Sequence, residues 1–166
     1  MDFNTAELQT EFELIPAGTI VKAILVIKPG NDFSDPFLTR SRNGDSCYLD
    51  CEFIVLEGRY AKCRIFDKIG VEGSEAWINI GRTRIRAILE SAKNINPKDV
   101  SETAMAGRKI NSFDDLNQLE VVIKVGIEID KGGVYKDKNK VVSIVTPDKP
   151  MYKEHMKNSN DIPWGI

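Results

Sequence analysis

The stretch CYLDCEFIVLEGRYAKCRIFDKI, residues 47–69, decides the fold. Over residues 47–56, Leu49, Cys51, Phe53 and Val55 fall on one face and Tyr48, Asp50 and Glu52 on the other. That period of two is the mark of a half-buried strand. Glu57-Gly58-Arg59 then turns the chain into a second run, residues 60–69, and the two runs form an antiparallel hairpin. A three-residue loop with Gly58 in the left-handed region pairs Val55 with Ala61 and Phe53 with Cys63. A two-residue loop would set Val55 against Tyr60 and mix the faces.

Outward from the hairpin, residues 19–28 are β-branched and apolar, opened by Pro16-Ala17-Gly18 and stopped by Pro29-Gly30, which reads as a strand. Residues 29–46 are rich in Gly, Asn, Asp, Ser and Pro and read as a long loop carrying Phe33 and Phe37. After the hairpin the period changes. Ile85, Ile88, Leu89 and Ala92 form the buried stripe of an amphipathic helix over residues 77–94. Asn96-Pro97 reads as an N-cap and first-turn proline, with Gly107 as the stop, for a short helix over about 97–106. Ser112-Phe-Asp-Asp115 matches a capping box. Residues 119–130 alternate again, with Val121, Ile123, Val125, Ile127 and Ile129 on one face, and residues 134–146 supply a last strand after a lysine-rich loop.

Five strands with a helix between the third and fourth is the chain order of an OB-fold. The expected fold is therefore mainly β: a five-stranded Greek-key barrel over residues 1–146, with a helical insertion at about 95–118 and a flexible tail at 147–166. Another small α+β barrel, or a sandwich, is the alternative.

The chain has 166 residues, 42% hydrophobic and 29% charged, ordinary values for one globular domain with a core of its own. No apolar run reaches membrane-span length, and the start, Met1-Asp2-Phe3-Asn4, lacks the plan of a signal peptide. Three cysteines without an export signal point to buried thiols in a reducing cytoplasm. The net charge is −2, from 23 basic and 25 acidic residues, which by itself argues against a polyanionic partner. Its distribution argues otherwise. Residues 1–18 hold four acids and no base, whereas residues 131–153 hold six lysines and two aspartates.

The second hairpin run carries the binding chemistry. With Ala61, Cys63 and Ile65 inward, the outer face presents Tyr60, Lys62, Arg64, Phe66 and Lys68, joined by Tyr48 from the partner strand and Lys22 from the first strand. Rings stack on any base and cations meet phosphates, which is what an unpaired strand requires. The loops after strands one and four flank the binding face of an OB-fold. The first carries Arg40 and Arg42, the second Tyr135, Lys136, Lys138 and Lys140. The alternatives are an amphipathic strand with simple solvated loops, or an OB-like protein–protein adaptor. Asp50, Glu52 and Asp67 allow a metal-dependent nuclease as a further reading. No phosphate-binding GxxxxGK[ST] loop occurs, and the one histidine, His155, falls in the tail, so no catalytic residue, metal or cofactor is expected.

Leu14-Ile-Pro-Ala-Gly-Thr-Ile-Val21, the segment 48–60, Arg64-Ile-Phe-Asp67, Gly81-Arg82 and the strand at 119–130 together resemble a family of small phage and prophage proteins regarded as single-stranded DNA-binding proteins of replication and recombination modules. The resemblance covers roughly residues 12–146. It implies sequence-tolerant binding of single-stranded DNA in a bacterial host cell. Separately, Asp161-Ile162-Pro163-Trp164 resembles the tip with which bacterial single-stranded DNA-binding proteins recruit replication and repair enzymes, although Gly165-Ile166 follow it here. Those proteins assemble into oligomers, so the resemblance also implies a homo-oligomer.

Overall fold

The computed structural model describes residues 1–9 and 13–156. The chain order is β1 (Ile20–Ile27), β2 (Leu38–Arg40), β3 (Cys47–Val55), β4 (Arg64–Glu72), α1 (Glu75–Lys93), α2 (Glu102–Gly107), β5 (Glu120–Glu128), β6 (Lys138–Val145) and α3 (Tyr152–His155). A 3-10 turn, Phe113–Leu116, precedes β5. The protein is mainly β, as expected.

All strand pairs are antiparallel. β1 lies between β3 and β5, with Leu25 opposite Phe53 and Val21 opposite Ile123. β1 and β2 share one edge of β3, β4 runs along its other edge, and β6 pairs with β5. The inward residues alternate as the period requires: Leu25, Leu49, Phe53, Ile65, Ile69, Ile123 and Val125 are buried in one core, closed by Ile88 and Leu89 of α1. Burying each such side chain contributes roughly 1.5–3 kcal/mol.

Several expectations are corrected. Among the described residues the sheet has six strands and is open, where a closed five-stranded barrel was expected. The extra strand, β2, is three residues long, too short for a period to show in the sequence. β4 and β6 approach each other, but no strand ladder joins them. α1 covers the seam instead, and its Arg84 gives an Nη hydrogen bond to the Val141 carbonyl of β6 (3.2 Å) and pairs through Nε with Asp67 of β4 (3.4 Å). α1 sits very close to β4: a Cβ at Gly81 would lie 1.8 Å from the Gly70 carbonyl, and one at Gly70 would strike the Trp77 ring at 2.5 Å. Only glycine fits either position.

The hairpin register slips by two. Phe53 faces Ile65 and Cys51 faces Asp67, and the connection runs from residue 56 to 63. It folds into its own turns, with Gly58 (φ 71°) and Lys62 (φ 74°) both left-handed and Lys62 N–H bonded to the Val55 carbonyl. A slip of two preserves the faces, so the assignment of residues beyond 63 survives the error.

α1 starts two residues before the expected bound because the Ser74 hydroxyl caps Trp77 N–H, and ends at Asn94 in the left-handed region. α2 is capped by Ser101, not Asn96, whose side chain accepts from Lys98 N–H in a local turn instead. The tail assigned to residue 147 onward begins ordered. Tyr152 is buried against Val122 and Val145, and its hydroxyl donates to the Ser91 carbonyl (2.6 Å), while His155 pairs with Glu57. Asp161, Ile162, Pro163 and Trp164 lie outside the described residues. Among those described, no helix is long and apolar enough to cross a membrane.

Candidate nucleic-acid interface

The outward face of β4 follows from its alternation. Ile65 and Ile69 are buried, and Asp67 points with them toward the seam, so Arg64, Phe66 and Lys68 stand on the surface. Phe66 is 56% exposed, a large apolar ring left in water. Lys28 of the segment after β1 lies over it, 4.6 Å from the ring centre. One strand over, Lys68 covers the Tyr48 ring at 4.9 Å. These are cation–π pairs, in which a ring and a charge occupy one spot.

Glu52 organises this face. It is nearly buried on β3, opposite Phe66, and holds Lys28 (3.4 Å) and Arg64 (3.0 Å), one on each carboxylate oxygen. The cations are thus fixed in position while Arg64 stays 59% exposed. The sequence places Glu52 on this face but gives no sign that it anchors two cations, because the pairing depends on register.

The β5–β6 hairpin closes a groove against β4. Its volume is about 490 Å3, and its lining brings Arg64 and Phe66 together with Lys136, Lys138 and Lys140. Those four cations outnumber the two carboxylates, Glu128 and Asp137, that share the lining. Lys138 sits 3.6 Å from Glu128, and Asn139 is pinned below by hydrogen bonds with both backbone groups of Ile15. A smaller cleft shares Lys136 and Lys138 and adds Tyr135, which is 80% exposed. Residues 64–66 and 135–140, seventy positions apart in sequence, therefore line one continuous basic, ring-bearing surface.

Other expected residues fall elsewhere. Tyr60 and Lys62 are not on a strand. Both lie in the β3–β4 connection, Tyr60 half-buried against the core with Arg59 over its ring and Lys62 exposed. Lys22 pairs with Glu120 (3.5 Å) and is largely covered. Arg40 ends β2 and is bonded to Asp32 (3.1 Å) and the Gly44 carbonyl on either side of it and to Glu72 of β4 (3.0 Å), so it ties the connection between β1 and β3 to β4. Arg42 is exposed in the turn after β2. None of these lines the groove.

The thiols Cys47 and Cys51 are buried and Cys63 half-buried, all unbridged, and burial pushes the Cys47 and Cys51 thiols up, away from the reactive thiolate. Asp50 and Glu52 face outward and Asp67 toward the seam. Among the described residues, no group of three His, Cys, Asp or Glu side chains is arranged to hold a metal. A scan against protein-family models finds no match for the chain, and a search of curated proteins finds none.

Proposed function

We propose that this chain is an OB-like protein that binds single-stranded DNA with little sequence preference, in phage or prophage replication and recombination in the cytoplasm of a bacterial host. The observation that carries the reading is the groove in which the exposed Phe66 ring stands beside Arg64 and opposite Lys136, Lys138 and Lys140. A base stacks on a ring whatever its identity, and lysines along the rim meet successive phosphates without reading sequence. A duplex hides its base faces, so an exposed ring in a basic groove favours an unpaired strand. The β1-centred strand order, with α1 inserted between β4 and β5, supports the OB-like assignment. The phage setting, the homo-oligomer and recruitment of replication or recombination proteins through residues 161–164 rest on the sequence resemblance.

The net charge of −2 sets the mode of binding. Attraction comes from a local patch plus stacking and not from a protein basic overall. Titrating a fluorescent oligothymidine at two salt concentrations tests the proposal: saturable binding at low salt that weakens steeply at high salt supports it, and no binding at low salt contradicts it.

A further inference from the structure

A second concave site lies on the other side of α1, against the insertion. It encloses about 500 Å3 and is lined by Arg82, Arg86 and Arg108, with an apolar wall that includes Ile85, Ile110 and Phe113. Three guanidinium groups around one cavity repel each other. Glu90 holds two of them, Arg86 and Arg108. It is buried, only 3% exposed, and its Oε2 accepts from Nε of Arg86 (3.2 Å) and from Nε of Arg108 (2.9 Å). The Pro97 carbonyl accepts from an Nη of each, at 2.9 and 3.3 Å, and Asn96 carbonyl takes a further bond from Arg108.

These contacts use one side of each fork. The Nη1 groups of Arg86 and Arg108, and the whole guanidinium of Arg82, have no protein partner among the described residues. Among the described residues, Glu90 is the carboxylate paired with two of these cations, and no carboxylate is part of the pocket lining. The lining therefore stays positively charged, with Arg86 and Arg108 already oriented by Glu90 and Arg82 free to turn toward a ligand. Planar guanidinium forks match the oxygens of a phosphate, and a phosphomonoester near neutral pH carries close to two negative charges. The half-buried Phe113 ring and Ile110 beside these donors offer a surface for a flat apolar group.

We propose that this pocket is a second ligand site, which takes the phosphomonoester of a nucleotide, with its base against the Phe113 wall. The nucleotide is either free or the phosphorylated end of a strand. The site is separate from the β4 groove and does not depend on how that groove is used.

Calorimetric titration of the full chain with deoxyadenosine monophosphate, and with a six-nucleotide oligothymidine with and without a 5′-phosphate, tests this. Arg82→Ala is the informative variant, because Arg82 is exposed and makes no hydrogen bond or ion pair among the described residues, whereas Arg108→Ala would strip buried Glu90 of the nearer of its two partners. Binding of the mononucleotide, weakened about tenfold or more in Arg82→Ala and kept in Phe66→Ala, supports a free nucleotide. A preference for the phosphorylated oligonucleotide that disappears in Arg82→Ala supports a strand end. Mononucleotide binding lost in Phe66→Ala places the ligand in the β4 groove and overturns the proposal. So does Arg82→Ala binding every probe as the unaltered chain does, or no probe responding to its phosphate.

Discussion

Two arginines beside the same strand, Arg84 at the seam and Arg64 at the groove, show how one side-chain type divides between holding the fold and meeting a ligand. Arg84 and its partner Asp67 each keep 21% exposure, and Arg84 bridges β4 to the backbone of β6. Arg64 is 59% exposed and touches one anchoring carboxylate, Glu52. Both are paired, yet water reaches only one of them freely. A covered pair contributes to stability through the penalty of leaving either charge alone, while a pair whose cation is exposed contributes less and leaves that cation within reach of a ligand. The seam is therefore structural and the groove is available.

Breaking the seam gives the largest expected effect. Arg84→Ala strips Asp67 of its counter-charge and the Val141 carbonyl of its donor, costing about 2–4 kcal/mol, somewhat below the figure for a fully buried pair because both side chains retain some water. Urea denaturation measures it, and oligonucleotide affinity of the folded fraction stays unchanged. Phe66→Ala reverses the pattern: a loss of about 1–3 kcal/mol in oligonucleotide affinity from one stack, with a stability change under about 1 kcal/mol. Equal effects on both readouts in either variant would erase the distinction.

Replacing Lys136, Lys138 and Lys140 together by glutamine sharpens the groove half. Each lysine that meets a single-strand phosphate adds about 0.7 to the slope of log affinity against log salt, so the triple variant flattens it by about 2. The smallest effect belongs to Asp67. Burial raises its carboxyl above the ordinary 3.8, and Arg84 only partly offsets that. Because the folded chain binds the proton more tightly than the unfolded one, stability falls as pH rises from near 3.8 through the raised value. Asp67→Asn removes that decline, visible as a flatter melting temperature against pH over the acid range.

Where the backbone period carries the information, the sequence is enough. The alternation at 64–69 assigns Arg64, Phe66 and Lys68 outward even though the register is off by two, because an even slip keeps each side chain on its face. The stripe Ile85, Ile88, Leu89 and Ala92 likewise assigns the inner side of α1. What depends on contacts distant in sequence is not legible. Tyr60 and Lys62 look like strand residues, but the connection needs eight residues to turn and takes them with it. At the open seam Gly81 meets Gly70 and Arg84 meets Asp67 and the Val141 carbonyl, and nothing in the spacing of those residues announces that a side chain bridges the two strands where a ladder would close a barrel. The tail's polar composition hides Tyr152, a single buried ring that pins the chain to α1 through Ser91.

The most direct test of the groove is ultraviolet crosslinking of the unaltered protein to a short oligothymidine, followed by mass spectrometry of the peptides. Adducts are expected on the peptides carrying Phe66 and Tyr135, suppressed by excess unlabelled single strand. Adducts confined to peptides outside β4 and the β5–β6 hairpin, or none under conditions where binding saturates, would contradict the groove's role in binding.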